Sequence, residues 1–489
     1  ASATYTVGGC TGNDTVTASL SGTGNTQTAT VALVISAADV NSINFTSAEP
    51  ATLALKGTGG EGRSETSVVQ FSVQDTTGAP VQGVEVAFSL STTIGGLSLT
   101  NDTAITNDEG VARAIVQAGN VSTSVRVTAT LTVDGLEFDT VSDKLVVTTG
   151  LPDQNSFSIS VVSRNPGGAD FDGTTNQISI RMADKFNNPV PDGTTALFTT
   201  ELGSIVSTCE TVDGGCSVTW ESQNPRLPLF NQDLVSTIFN RTCPSTGGTD
   251  APCPDDIGET NGLRSARLVT AIGEESFDDE NGNGVWDIGE AHDDLPEAFL
   301  DHNENDEYDG DSNCTPSDTE SGRECASGLE ETFVDFNENG EYDDGNGIYN
   351  GTLCPQALAD QGECSRDLVT VRADRHLVMS SFFEMYISLT DDSGNATDTI
   401  ADVNASNESY TIWFSDRYNN VPDSGASSSV STSSCLIASL TGHDVVSTNR
   451  KNAYGLPLIL EADPDNEDNN VGLITIEIST GQGVSFQRL

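Results

Sequence analysis

The chain has 489 residues, with 73 Asp and Glu against 20 Lys and Arg and a formal net charge of −53 at pH 7. A surface that negative repels nucleic acid and anionic membranes, and it suits a medium rich in divalent or monovalent cations. The length leaves room for three or four domains. No apolar run approaches the length of a membrane-spanning helix, and no signal peptide is read at Ala1, so the start is taken as processed or cut.

Residues 1–38 read as three strands, 4–7, 15–20 and 28–35, separated by Gly-rich turns. The triplet Val16-Thr17-Ala18 returns as Val127-Thr128-Ala129 and as Val269-Thr270-Ala271, each time late in its unit. The opening segment is therefore expected to be the tail of a domain whose early strands lie outside this chain. A full unit follows at 39–150. Residues 68–73 and 84–88 alternate apolar and polar around the turn Asp75-Thr76-Thr77-Gly78-Ala79-Pro80, and Asp134-Gly135 is a two-residue hairpin signal. About seven short strands at this spacing predict a β-sandwich.

Residues Asp75–Gly83, 84–90, 106–114 and 125–129 carry a resemblance to the bacterial Ig-like domains of the invasin and intimin type, often called Big-1. It covers 39–150 closely and the later units only partly. The resemblance implies a stalk module of a surface protein, without catalytic residues of its own.

The third unit, 151–390, repeats the turn at Asp184-Lys185-Phe186-Asn187-Asn188-Pro189, and its Val-Thr-Ala strand runs into an acidic segment, 273–365, before the chain returns at 367–373. That segment is expected to be an insert between two adjacent strands at one pole of a sandwich. The last unit, 391–489, opens the turn again at Asp416 and shows no Val-Thr-Ala strand after Leu456, so it is expected to depart from the pattern and to be incomplete. The fold class is thus all-β: tandem Ig-like β-sandwiches with a loop-rich, calcium-binding acidic insert in one domain.

The insert says one thing three times. Its frame is Phe-x-Asp-x-Asn-x-Asn followed by an aromatic and Asp, starting at Phe277, Phe299 and Phe333. Oxygen side chains at alternate positions followed by Gly describe a loop around a hard cation, and Ca²⁺ takes six to eight oxygens. In the first copy Asp279, Asn281 and Asn283 hold positions 1, 3 and 5, with Gly284 at 6, the Val285 carbonyl at 7, Asp287 at 9 and Glu290 at 12. This matches D-x-[DN]-x-[DN]-G-x₅-E in full. It resembles the EF-hand loop, but Pro296 and the Gly-rich flanks disfavour long helices, so the nearer likeness is to dockerin and thrombospondin type 3 repeats. The second copy offers Asp301, Asn303, Asn305, Glu307 and Asp309, with Asp306 in place of the Gly; the third offers Asp335, Asn337, Asn339, Glu341 and Asp343. Position 12 is Ser312 in one and Asn346 in the other. These two sites are expected to be weaker, or to borrow a carboxylate from Asp294, Glu297, Asp311 or Asp344. Residues 274–350 hold 26 Asp and Glu against one Arg, a composition that by itself reads as a disordered solvating segment. The repeated spacing with its aromatic anchor favours metal, and calcium over magnesium.

Ten cysteines include four close pairs, Cys209/Cys216, Cys243/Cys253, Cys314/Cys325 and Cys354/Cys364, and leave Cys10 and Cys435. With no C-x₂-C spacing and four His, zinc is excluded in favour of disulfides in an extracellular setting. No nucleophile elbow, phosphate loop or His-based catalytic grouping is present, so no enzyme is expected. The reading is an extracellular bacterial structural protein: a stalk or surface fibre stiffened by calcium and disulfides. An adhesin gripping a host, glycan or surface ligand with its acidic pole is the alternative, and an accessory module of a secreted enzyme a further one. A homo-oligomer or head-to-tail filament is the expected partner arrangement, with Cys10 and Cys435 as candidates for a bond between subunits; the alternative is that a segment upstream of this chain covers the open strands of 1–38.

Overall fold

The computed structural model describes residues 12–22, 25–35, 40–60, 62–224, 234–236, 241–243, 263–301, 306–308, 310, 331–383, 385–397, 408–416, 420–433, 436–439, 442–450, 453–462 and 473–488. They fall into two compact units. One comprises Ala1–Leu151, Ala183–Asn188 and Asp279–Glu290, the other Pro152–Met182, Pro189–Asp278 and Ala291–Leu489. Among the described residues the only α-helix is a single turn, Gln356–Ala359, and no helix is long and apolar enough to cross a membrane.

In the first unit, Gly12–Gly22 and Asn25–Ile35 form a two-stranded antiparallel hairpin that matches Val16 with Val31 and Ala18 with Ala29. A sandwich follows. One sheet runs in the order Val40–Glu49, Thr66–Asp75, Val111–Gln117, Ser98–Leu99, and the other Leu136–Val141, Val127–Val133, Glu85–Leu90, Thr103–Ile105. A third ladder places Leu145–Thr148 between Thr123–Val125 and Thr52–Ala54, the last running parallel to it. Strict alternation decides which faces meet. Along Thr66–Asp75, Ser67, Val69, Phe71 and Val73 point inward and are buried. The Phe71 ring stacks on Phe88 of the facing sheet at 5.8 Å, and Val86, Ala112, Ala114, Val116, Ala129 and Leu131 fill the space around them.

The second unit holds two more sandwiches. The first pairs the sheet Phe157–Val161, Thr175–Met182, Gly215–Glu221, Ser204–Ile205 with the sheet Thr208–Glu210, Thr195–Thr200, Arg267–Gly273, Val369–Asp374. Ile178, Ile180, Met182, Phe198, Val218, Trp220, Val269 and Val371 belong to one buried cluster, and Arg267 lies over the Trp220 ring at 4.7 Å. The next repeats the order with Met385–Asp391, Glu408–Asp416, Tyr454–Ala462, Leu436–Ala438 facing Gly442–Asp444, Ser427–Thr432, Ile474–Ser479, Ser485–Arg488. Here Ile474–Ser479 occupies the place that Val127–Val133 holds in the first sandwich. Its sequence keeps the alternation but not the Val-Thr-Ala triplet, which is why the pattern search passed over it: the ladder needs β-branched residues at these places, not that triplet.

A hydrogen-bonded joint links these two sandwiches. Asn165 is wholly buried; its Nδ2 donates to Pro422 O at 2.6 Å and its Oδ1 accepts from Thr448 N at 2.9 Å. The Ser163 and Ser424 hydroxyls lie 2.7 Å apart, and Ser381 N donates to Asp416 Oδ2 at 2.7 Å. The recurring turn Asp therefore has different surroundings in different copies. Asp75 is half-buried and accepts from Thr77 N, Thr77 Oγ1 and Ala79 N, which holds its carboxyl below the usual range. Asp184 accepts equivalent bonds from Phe186 N and Asn188 N, but it is fully buried, and burial pushes its carboxyl up.

Two disulfides are formed among the described residues, Cys209–Cys216 and Cys354–Cys364. Cys10, Cys253, Cys314, Cys325 and Cys435, and the side chain of Cys243, lie outside the described residues.

Candidate metal centre

The insert leaves the sandwich after Gly273 and returns at Val369, and these two residues face each other in the antiparallel ladder. Its foot is apolar: Ala298 and Leu300 pack with Ala266 and Leu268, and Val334 leans on the same cluster. Beyond that foot, Phe277, Trp286 and Tyr349 are also buried, and polar side chains hold the backbone of the loops.

In the first loop, Asp279 Oδ1 accepts Gly282 N at 2.7 Å and Asn283 N at 3.1 Å, while Oδ2 accepts Gly284 N at 2.9 Å. Gly282 and Gly284 both take left-handed backbone, φ 72° and 79°, so the chain can wrap its own carboxylate. Asn283 Oδ1 accepts Val285 N at 2.9 Å, and the Nδ2 atoms of Asn281 and Asn283 reach Asp287 Oδ2 at 2.7 and 2.6 Å. Glu290 closes the loop: Oε1 accepts Glu280 N and Oε2 accepts Asp287 N, both at 3.0 Å.

The third loop repeats most of this frame. Asp335 Oδ2 accepts Gly340 N at 2.8 Å, and Asn337 and Asn339 donate to Asp343 Oδ2 at 2.6 and 2.7 Å. Asn339 Oδ1 accepts Glu341 N at 2.7 Å. Its closing carboxylate comes from elsewhere in the chain. Glu297 Oε1 accepts Phe336 N at 2.8 Å and Oε2 accepts Asp343 N at 3.3 Å, the same two places that Glu290 serves in the first loop. Glu297 is one of the four residues named from the sequence as lenders; Asn346, which stands at position 12 by count, takes no part in this loop.

Of the second loop, Asp301, Asp306, Glu307 and Tyr308 are described; Asn303, Asn305 and Asp309, as well as Asp311 and Ser312, lie outside the described residues. Asp306 N donates to Asp301 Oδ2 at 2.9 Å, and Asp306 adopts φ 65°, taking the left-handed position that Gly holds in the other copies. The second and third copies are paired. Phe299 and Phe333 form an antiparallel bridge, with Leu300 N donating to Thr332 O and Val334 N to Ala298 O. Tyr308 stacks on Tyr342 at 3.9 Å, each edge-on to the other copy's Phe, at 5.6 Å for Tyr308–Phe333 and 6.0 Å for Phe299–Tyr342. Burial raises the Tyr342 hydroxyl, opposed by the charge of Arg372.

This pairing exposes a signal that the Phe-x-Asp frame misses. Each copy carries a Glu two residues before its Phe: Glu275, Glu297 and Glu331. All three are buried, Glu275 completely, and burial raises the Glu275 carboxyl against the pull of its hydrogen bonds to Leu295 N and Asn350 N.

The donor set suits a hard cation. Asp and Asn side chains at alternate positions supply oxygens, the donor type a hard cation takes, and backbone amides hold those oxygens in place. Among the described residues no group of three His, Cys, Asp or Glu side chains is placed to hold a metal ion. The Asn281 and Asn283 amides lie against Asp287 instead.

No protein-family model matches the chain, and no curated protein matches it. Among solved structures, the chain is similar to FdeC, an Escherichia coli adhesin, at 12% identity over 92% of this chain and 99% of that one, with a TM-score of 0.26. It is similar to invasin, a bacterial integrin-binding protein, at 12% identity over 92% of this chain and 59% of that one, with a TM-score of 0.21. It is also similar to the D0-D1 domain of intimin, at 16% identity over 47% of this chain and 90% of that one, with a TM-score of 0.21.

Proposed function

We propose that this chain is an extracellular structural protein, a stalk or surface-fibre subunit, whose acidic insert is ordered by calcium. The observation that supports this most directly is the closing of the third loop by Glu297. Two loops in different parts of the insert make the same set of backbone-to-carboxylate bonds, one with its own Glu290 and the other with a residue that precedes it by a long stretch of chain. Solvation of a disordered acidic segment gives no reason for that coincidence; a common ligand does. Asp279, Asn281, Asn283, the Val285 carbonyl, Asp287 and Glu290 would hold one ion. Asp335, Asn337, Asn339, the Glu341 carbonyl, Asp343 and Glu297 would hold another. In the pairing of the second and third copies Glu331 would close the loop of Asp301 by the reciprocal exchange. The cations would neutralise a segment whose own charge opposes compaction, and the disulfides fit an oxidising, extracytoplasmic place of work.

Calcium titration of the full chain by isothermal calorimetry, after exhaustive chelation, tests the reading. Saturable binding of several ions is expected; absence of heat and of bound calcium at millimolar concentration overturns it.

A further inference from the structure

The residues after the third loop, Asp344-Gly345-Asn346-Gly347-Ile348-Tyr349-Asn350, run parallel to Asn281-Gly282-Asn283-Gly284-Val285-Trp286-Asp287. Two parts of a loop are missing from that stretch. Tyr342 stands where the opening Asp belongs, and Leu353 where the closing Glu belongs. The fold brings both from other segments.

Gly347 N donates to Asp294 Oδ2 at 2.9 Å, as Gly284 N does to Asp279 Oδ2 and Gly340 N to Asp335 Oδ2. Glu275 Oε1 accepts Leu295 N, the residue following Asp294, at 3.0 Å, and Oε2 accepts Asn350 N at 2.7 Å. These are the two bonds that Glu290 and Glu297 make in their loops. Ile348 N reaches Asn346 Oδ1 at 3.0 Å, Asn346 Nδ2 reaches Asn350 Oδ1 at 3.1 Å, and Gly347 has φ 78°. Tyr349 lies edge-on to Phe277 at 5.1 Å, the contact that Tyr342 makes with Phe299. A Cβ on Gly345 would come within 2.4 Å of Asp294 Cγ, so only Gly lets that carboxylate enter the loop.

Glu275 is the most deeply buried of the three Glu that stand two residues before a Phe. Glu275 is 0% exposed, its oxygens accept from the two backbone amides, and the charge that acts on it is the like charge of Asp294. Buried carboxylates are paired or coordinate metal. Glu290 and Glu297 each accept a backbone amide from the residue after the opening Asp of their loops, as Glu275 does.

We infer that Glu275, Asp294, Asp344, Asn346, Asn350 and the Ile348 carbonyl form a fourth calcium site, assembled from three separate segments of the chain. The inference rests on reading the continuous loops as calcium sites. Its ion would tie the first residues of the insert to the segment that follows the third loop; Glu275 N already donates to Asn350 O between them at 3.0 Å.

Counting bound calcium by equilibrium dialysis or native mass spectrometry, on the full chain and its variants, decides it. Asp294 is exposed, so D294N leaves the fold intact. D294N and G345A are each expected to lose one ion, or to weaken that one site at least about tenfold, because removing a ligand charge is what tunes such sites. E290Q is expected to remove a different ion, so that D294N with E290Q loses two. If the wild-type chain binds calcium and E290Q loses an ion while D294N and G345A keep the full count and affinities, the fourth site is overturned and the continuous loops stand. If the wild-type chain binds none, the underlying reading fails with it.

Discussion

The sandwich at 40–148 and the described residues of the insert, 274–301 and 331–350, are built from different materials. The sandwich buries Val69, Phe71, Val73, Val86, Phe88 and Val116 between two sheets, and its polar groups lie mostly outside. The insert has a foot of a few apolar side chains, and beyond it carboxylates grip backbone amides: Asp279, Glu290, Glu297, Asp335 and Glu275 each accept two or more. Order in the first is driven by water leaving apolar surface. In the second, like charges are gathered close together, and on the proposed reading cations would offset their repulsion. The proposal therefore sets a part held by apolar burial against a part whose stability would follow the cations around it.

The widest separation between the two is expected on removing calcium. Each ion bound only by the native state stabilises by about 2.7 kcal/mol at a hundredfold excess over its Kd, and several ions add. Chelator is expected to make 277–350 sensitive to protease while 40–148 remains resistant, with fragments mapped by mass spectrometry. Equal resistance of both regions after chelation would break the comparison. The opposite perturbation is Phe71→Ala. Loss of a buried aromatic costs about 3–5 kcal/mol, and it is expected to lower the urea midpoint of the sandwich while the calcium isotherm of the insert is unchanged.

A finer test lies inside the insert. Glu297→Ala removes two hydrogen bonds and a buried carboxylate from the third loop, and is expected to weaken that loop by about 1–3 kcal/mol, read as a loss of affinity at one site in calorimetry. Glu290→Ala is expected to do the same to the first loop. If Glu297→Ala leaves every site unchanged, the frame shared by the two loops has no common cause.

The smallest effect concerns pH and the two turn aspartates. Asp75 has a folded pKa below its unfolded one, so its contribution is present above the unfolded value and is lost as pH falls through the folded value. Asp184 is raised by burial, so its contribution is complete below the unfolded value and is lost as pH rises through the folded value. Asp75→Asn is therefore expected to destabilise at pH 7 and to be nearly silent at pH 3. Asp184→Asn is expected to be better tolerated at pH 7 than at pH 3. Thermal melts of both variants at the two pH values check the opposite signs; the same sign for both would remove the distinction.

The strands were readable because alternation is local. Val69, Phe71 and Val73 announce a buried face within a few residues, and the Asp-Gly at 134–135 turns where expected. The repeated oxygen spacing was readable for the same reason. What escaped was every feature that depends on one segment lending to another. Glu297 could be named as a lender but not assigned to a loop, since only the Phe299–Phe333 bridge decides which loop it reaches. Asp294 could likewise be named as a lender but not given its place, and Glu275 escaped altogether, because their partners at 346–350 lie far along the chain and no fixed spacing links them. The strand at 474–479 was missed for a simpler reason: Ile-Thr-Ile satisfies the same ladder as Val-Thr-Ala without matching it as text.

The joint at Asn165 carries a mechanical consequence. Its amide has donor and acceptor both engaged, by Pro422 and Thr448, which belong to different loops of the next sandwich. With one side chain held by two loops, a rotation of one sandwich against the other has to distort hydrogen bonds that are buried from water. A covalent linker alone transmits tension but lets its ends spin. This joint transmits torque as well, so a twist imposed on one sandwich is delivered to its neighbour instead of dissipating at the linker.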